Sequence, residues 1–457
     1  MNRKASRVIP MLVLCFLIFL VGCSSNGGGN TASPSPSPSS TSDGASTPEP
    51  SDSGEAVVDN SQYTGTVKVL REWADIQPNK AMFDALAIAF MEEYPNVKIE
   101  YVTDGWAASL PTYVAANDSP DLVMTSSPNP SFLKDNLLED LTPYIEKDGT
   151  IGKDNYVDAA YSKYVVGDKL YGLPWNVDPN FPLFHNKKIL EQYGITEVPA
   201  IQTLEDLGDY LEQFWIVNNG KQEMTTFDPS SIWGASTAFM TWSFLNGATP
   251  EDIYDPVSRK IGYNNPKIVE TMEWMADFYQ ENIDATRMED LKKTLPADTD
   301  LFDANKMAVS YVYTQKMRDE MELHLTALPD ESLWVGGYGF SMVSTGKNKE
   351  AAFQFLKWLT TSDAAARISY DILGVIPAKK TVPYLEELAQ SDELLKLRLD
   401  ILSKVKKYPP LTPVNLPETF EADFMAVLNG TSSEDPQAYL DNLNKIMQQQ
   451  IDDYYNQ

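Results

Sequence analysis

Residues 335–378 read VGGYGFSMVSTGKNKEAAFQFLKWLTTSDAAARISYDILGVIPA, and this order of parts leaves few architectures open. Gly336 and Gly337 permit a sharp turn or a close backbone approach. Tyr338, Phe340 and Met342, with Ser344 in register, then alternate as a short strand. Asn348 stands where a helix cap belongs, with Glu350 in the first turn at the positive helix end. Behind it Ala352, Phe355, Leu356 and Leu359 repeat at helical spacing, so one face is buried. Ser362 and Asp363 open a second helix, which Gly374 stops ahead of Pro377. A strand feeding two consecutive buried helices predicts one flank of an open α/β sheet.

The chain before this stretch supplies the rest of such a sheet. The folded part starts at Thr64, GTVKVLREW then alternates as a strand, and Pro78 leads into a helix carrying Phe83, Leu86, Phe90 and Tyr94 on one face. Val97, Ile99 and Tyr101 form the next strand, SPDLVMTSSP reads as a buried one, and LLEDLTPYIEKDG is helical. Strand alternating with helix predicts an open α/β sheet. From Asn186 to about Tyr338 helices dominate, with Leu204, Leu207, Leu211 and Phe214 marking one and Ile268, Met272, Met275 and Tyr279 another.

Ahead of the folded part lie two segments of different character. Arg3, Lys4 and Arg7 precede the apolar run Met11–Val21, which is too short to span a bilayer. Leu20-Val21-Gly22-Cys23 looks like a bacterial lipobox, so residues 1–22 are expected to be a signal peptide and Cys23 the lipidated N-terminus. Residues 23–63 are rich in Ser, Pro and Gly, cannot bury enough apolar area to fold, and are expected to be a disordered tether. As a coil, the part from Ser24 to about Asn60 spans roughly 30–35 Å.

Composition excludes several classes of function. With 36 basic and 65 acidic residues the formal net charge is −29, a field that repels nucleic acid and anionic lipid surfaces. Lys404, Lys406 and Lys407 form a basic cluster that reads as cations at a helix C-terminus. Cys15 lies in the leader and Cys23 just beyond it, which leaves no disulfide or cysteine metal site for the folded part. His185 and His324 are expected to be packing residues, and no metal or cofactor is expected. The chain lacks H-E-x-x-H, G-x-S-x-G, a Walker loop and a dinucleotide fingerprint, so no catalytic residue is assigned.

Aromatic residues point instead to binding. Nine Trp, 23 Tyr and 18 Phe supply flat rings for the C–H face of a sugar, whose hydroxyl rim suits carboxylates and amides. Trp73, Trp106, Trp175 and Trp334 lie where strands run into loops, the usual ligand edge of an open α/β sheet. Gly336, Gly337 and Tyr338 adjoin the last of them. Asp75 and Asp178 could accept sugar hydroxyls or cap the following turns. Trp215, Trp274 and Trp358 have apolar helical neighbours and are expected to pack.

The stretch 335–378, together with "afmeeyPnvkieyv", "spDlvm", "LleDLtpyi" and "YGlPwn…lfhNkkileqyGi", resembles the extracellular solute-binding proteins of ABC importers, in the carbohydrate-type group that includes maltose-binding protein. DANKMAVSYVY is similar to that family's "GkaAM" strand, with Asn305 in place of the usual Gly. The likeness runs from about Thr64 to Gln457. It implies a two-lobed fold, each lobe an open sheet flanked by helices, with the ligand cleft between them. Lobe I would comprise 64–182 and 339–380, and lobe II 183–338 and 381–457, the chain crossing near Phe181–Asn186. Glu72–Asp75 and Thr125, Ser126 and Ser127 would touch the ligand from lobe I, and Trp242, Tyr311 and Tyr313 from lobe II. Gly336, Gly337, Gly339 and Pro179–Pro182 would be hinges.

The function so implied is a lipid-anchored receptor on the extracellular face of the membrane. It would be a monomer that captures a sugar or oligosaccharide and delivers it to ABC permease subunits, without chemistry. A receptor for a peptide or other solute, an extracellular glycosidase, and a surface adhesin or sensory lipoprotein are the alternatives.

Overall fold

A computed structural model of the protein describes residues 59–72, 76–102, 107–179, 182–230, 232–297, 299–312 and 321–456. The chain divides into units Met1–Val57 and Val58–Gln457, and the described residues lie in the second. The leader, Cys23 and nearly all of the tether therefore fall outside them.

The strands that place the site are, in chain order, β1 (Gly65–Leu70), β2 (Val97–Val102), β3 (Leu122–Thr125), β4 (Leu173–Pro174) and β5 (Asn176–Val177). They continue with β6 (Pro182–Asn186), β7 (Val309–Ser310), β8 (Leu323–Ala327), β9 (Gly339–Met342) and β10 (Ile376–Pro377). The helices used below are α1 (Asn79–Glu93), α2 (Asp158–Ser162), α3 (Leu204–Glu212), α4 (Ala235–Leu245) and α5 (Pro266–Asn282). After these come α6 (Lys349–Thr361), α7 (Asp363–Leu373), α8 (Glu393–Lys404), α9 (Phe420–Leu428) and α10 (Pro436–Tyr455).

The first sheet has the order β2-β1-β3-β9-β4. β1 runs parallel to β2 and β3, with Val67 opposite Ile99 and Val69 opposite Leu122. β9, from late in the chain, enters antiparallel between β3 and β4, setting Gly339 opposite both Thr125 and Pro174. Every residue of β3 and β9 is buried, as expected of strands covered on both faces. The pleat sorts their side chains: Leu122, Met124, Phe340 and Met342 join the main core, while Leu70, Val123 and Val343 form a second cluster on the other face.

Helices α1 and α6 cover the main face. Phe90 meets Phe355 at 4.9 Å and Trp358 at 5.6 Å between ring centroids, and the Trp358 indole donates to Glu93 Oε1 at 2.7 Å. Each such ring taken from water contributes about 1.5–3 kcal/mol. Ser362 caps α7 by accepting from the Ala365 amide, and Gly374 ends it at φ +67°. Asn348 differs from the expectation. It occupies the cap position of α6, but its side chain donates to Thr66 O at 2.7 Å, sewing the helix start to β1 instead of capping it. Asp121 fastens the same corner, accepting from the Lys68 amide at 2.9 Å and the Asn348 amide at 2.8 Å.

The second sheet is smaller, with β6 between β7 and β8, both antiparallel to it. Helices α3, α4, α5, α9 and α10 supply much of the surrounding core through Leu207, Phe239, Met272, Phe424 and Leu440. Asn305 adopts φ +55°, a left-handed conformation that asparagine tolerates better than other residues with a side chain, so it serves where glycine would be usual. His185 is fully buried, 2.8 Å from the Tyr210 hydroxyl and 2.8 Å from Thr326 Oγ1, and burial pushes its pKa down to about 3. It is a neutral packing group. Of the three clustered lysines only Lys404 ends a helix; Lys407 donates to Ala248 O at 2.9 Å and lies 4.9 Å from the centre of the Phe244 ring.

The two sheets define two lobes, and the segments that cross between them lie side by side. β5 pairs with β10, Pro179 with Val335, and Trp334 with Lys407. The Gly336 amide donates to Asp178 O at 3.1 Å, tying two crossings together. Gly337 sits at φ +94°, and a Cβ there would overlap the Asn176 carbonyl, so no other residue fits without backbone movement.

Candidate ligand cleft

The C-terminal ends of β1 and β3 carry Glu72 and the Thr125–Ser127 turn to the edge of the first sheet. Thr125 is buried and its carbonyl accepts from the Tyr164 hydroxyl at 2.6 Å, while Ser126 is exposed and Ser127 half-buried. Trp73, Asp75, Trp106 and Tyr313 lie outside the described residues.

Beside this edge the crossing segments gather charged and polar groups. Glu72 is half-buried, and burial raises the pKa of its carboxyl. Burial pushes the Tyr338 hydroxyl up to about 12, helped by the nearby Glu72 and Asp178 carboxylates. The Asp178 carboxylate retains half of its surface yet sits in a protein-walled recess. Desolvation raises its pKa, while Arg398, 3.9 Å away, and Lys163 pull it down. Gly336 and Gly337 are held from behind, since the Lys163 ammonium donates to their carbonyls at 3.2 and 2.8 Å. Lys163 follows directly on α2, and burial drags its pKa down to about 7 against the pull of Asp178.

The second lobe supplies the opposing wall. Tyr311, following β7, meets the Trp233 ring edge-on at 5.5 Å and the Phe227 ring at 5.6 Å. Trp233 immediately precedes Gly234 and α4; the two residues have φ of +51° and +97°, a bend that leaves the indole 48% exposed. The amides at the start of α4 are already taken, Ala235 N donating to Glu421 Oε2 at 2.8 Å. Asp178, Pro182, Trp233, Tyr311 and Arg398 line a recess of about 210 Å³. Carboxylates beside an exposed indole and a tyrosine suit a ligand with a hydroxyl rim and an apolar face.

Three of the tryptophans expected to line the cleft are placed elsewhere. Trp242 has no exposed surface. Its indole donates to Pro229 O at 2.6 Å, and its ring lies between Phe227 and Trp274. Trp334 donates to Thr241 Oγ1 at 3.1 Å and is 5% exposed, and Trp175 packs 5.1 Å from Phe83. Rings so enclosed offer a ligand no face, and in this structure they belong to the core.

Trp233, Lys163 and Arg398 were not singled out from sequence, although Trp233 carried a readable signal. In the charge-free stretch 230–249, Ala235, Ala238, Phe239, Trp242 and Leu245 follow helical spacing and are all buried on α4. Trp233 falls before that periodic run and beside a glycine.

Among the described residues, no group of three or more His, Cys, Asp or Glu side chains could hold a metal ion, and no helix is long and apolar enough to cross a membrane. What fold and site define is a two-lobed α/β binding protein with its cleft at the junction of the lobes. The family model of the bacterial extracellular solute-binding proteins matches residues 73–366, and the chain belongs to that family.

Individual relatives are more distant. An uncharacterized ABC transporter extracellular-binding protein of Pyrococcus horikoshii is 25% identical over 217 residues, 46% of this chain and 47% of that protein, so the match spans about half of the relative's length. The galactooligosaccharide-binding protein of Bacillus subtilis is 24% identical over 398 residues, 83% of this chain and 88% of its own. Among solved structures, an ABC substrate-binding protein from Listeria monocytogenes in complex with cycloalternan superposes with a TM-score of 0.68 at 20% identity. That superposition covers 85% of this chain and 99% of the other.

Proposed function

We propose that this protein captures a sugar or oligosaccharide between its lobes and delivers it to an ABC permease. A lipid on Cys23 would hold it at the extracellular face of the membrane. Lobe I is taken as 64–182 with 339–380, and lobe II as 183–338 with 381–457; the receptor acts as a monomer and performs no chemistry on its ligand. The observation that carries this reading is the recess that Asp178 shares with Tyr311 and the exposed Trp233, with Tyr338 close to both Asp178 and Glu72. Two of the relatives compared above carry carbohydrate in their names, a galactooligosaccharide and cycloalternan. Glu72, Trp73, Asp75, Trp106, Thr125, Ser126 and Ser127 would hold the ligand from lobe I. Asp178, Gly336, Gly337 and Tyr338 would do so from the junction, and Tyr311, Tyr313 and Trp233 from lobe II.

A ligand shifts an open–closed balance only through its differential affinity, and a site divided between lobes provides that difference. Thermal-shift screening of a glycan panel identifies the sugar. Small-angle scattering of residues 64–457 with that sugar should then give a smaller radius of gyration than without it. A tight-binding sugar that leaves the scattering curve unchanged would point to a preformed site in one lobe and remove the closure mechanism.

A further inference from the structure

A groove of about 600 Å³ runs along β10 and shares no residue with the recess at Asp178. Val157, Asp158 and Ala159, at the start of α2, line one side together with Ile376 and Pro377 of β10. The short helix Pro383–Leu388 and the end of α8 line the other. α8 gives Leu394 and Arg398 to the recess at Asp178 but Leu399, Leu402 and Ser403 to the groove, so the two cavities lie on different faces of one helix. The volume falls in the range of small-molecule sites.

Its charge runs against that of the chain. With 36 basic and 65 acidic residues overall, the groove is lined by Lys379, Lys380, Lys404 and Lys406 against only Asp158 and Glu386. The field of the whole molecule repels anions, so a local excess of ammonium groups is what an anion could use. Lys379 pairs with Asp363, and Lys404 with Asp400 at 2.8 Å and Asp330 at 3.6 Å, which steadies two of the four. Lys380 lies 3.4 Å from Asp158 with both side chains more than half exposed, and such a pair in water contributes little. Lys406 is exposed and makes no ion pair among the described residues. These last two can turn to a ligand at small cost.

The walls between the lysines are apolar. Ile376, Leu385 and Val405 are buried, while Val157, Leu399 and Leu402 are half-buried and keep part of their surface open. Covering that surface releases water from it, which favours an apolar occupant. A neutral sugar would leave the ammonium groups without a partner, and a small inorganic anion would leave the apolar walls wet. An occupant that satisfies both has an apolar body and an anionic head.

We infer that this groove is a second binding site, separate from the cleft, for an amphiphilic carboxylate. An unbranched acyl body lies against Val157, Leu399 and Leu402, and the carboxylate accepts from the Lys380 and Lys406 ammonium groups. The inference does not depend on the sugar reading of the cleft.

The test is calorimetric titration of the full chain with sodium decanoate below its micelle concentration, beside decyltrimethylammonium and acetate as controls. Decanoate should bind one to one, at least about tenfold more tightly than either control. A Lys380→Gln, Lys406→Gln double variant should keep the wild-type melting temperature, since both side chains are exposed, and should bind decanoate about tenfold more weakly. Equal affinity for decanoate and decyltrimethylammonium, or a variant that binds decanoate as wild type does, overturns the assignment of the head group to the lysines. Equal affinity for decanoate and acetate overturns the apolar body. Association with phosphatidylglycerol vesicles in place of decanoate would make the lysines a membrane contact, and that outcome, like no binding of decanoate at all, overturns the site.

Discussion

The ammonium of Lys163 lies 2.8 Å from the carbonyl oxygen of Gly337, a bond between the end of a first-lobe helix and a segment that crosses to the second lobe. Lys163 is 3% exposed, so its charge is held in place by two carbonyls and the field of Asp178 rather than by water. Burial lowers its pKa from 10.5 to about 7.

That shift sets a pH dependence. Below about pH 7 the amine is charged in both the folded and unfolded chain, and folding bears the full cost of burying it. Between about 7 and 10.5 the folded protein releases the proton while the unfolded chain keeps it. The unfolded state then binds more protons, and stability rises with pH. Relative to Lys163→Gln, wild type should gain stability across this window with a slope approaching about 1.4 kcal/mol per pH unit. Urea unfolding of both proteins from pH 6 to 9.5 measures it, and a difference that stays flat would refute the assignment.

Two tryptophans nine positions apart should behave in opposite ways. Trp242→Ala empties a fully buried site and removes the bond to Pro229, so it should lower stability by about 3–5 kcal/mol. Trp233→Ala removes a half-exposed ring, should leave the melting temperature near that of wild type, and should weaken sugar binding by roughly 1–3 kcal/mol. Thermal melts paired with calorimetry separate the two. A Trp233→Ala protein that melts early and binds normally would make that ring structural.

Gly337 tolerates no side chain. Ala there would meet the Asn176 carbonyl and would also have to adopt φ +94°, so Gly337→Ala should cost at least about 1–3 kcal/mol. Denaturant titration reads this directly. Gly149, at φ +66° with open space around it, is the comparison: Gly149→Ala bears the backbone strain without the clash and should cost less.

Lipidation is tested on the intact protein. Material from the membrane fraction should begin at Cys23 with an added diacylglyceryl mass, since two acyl chains are what stable anchoring requires. Cys23→Ser should appear in the medium instead. An unmodified thiol at position 23 in membrane-derived protein would contradict the anchor.

Periodic segments were legible in sequence because their pattern is local. The alternation of β1, the helical repeat of α6 and the Ser362 and Gly374 boundaries of α7 each follow from a few adjacent residues. Even Asn305 could be read as a stand-in for glycine, and it adopts the left-handed conformation that role requires. Pairings between distant segments were not legible. Asn348 looked like a cap until β1 was placed beside it, and the burial of Trp334 depends on Thr241 in α4, 93 residues away in sequence. A strand end followed by Trp describes both a cleft wall and a core ring. Only the neighbour brought in by the fold distinguishes them.

The late arrival of β9 in the first sheet also bears on how the protein reaches its folded state. The Asn348 amide that locks this corner reaches Asp121 across 227 positions, and β9 itself fills the gap between β3 and β4. A chain emerging from its N-terminus must therefore hold β3 without its central partner until residue 342 has been made. Contacts of such sequence separation carry a large loop-closure entropy and slow folding. During that interval the half-built sheet has an open edge on which wrong strands could pair. A fragment ending before Gly339 should consequently aggregate rather than fold, and the first lobe is not an independently folding piece even though its opening strands come first.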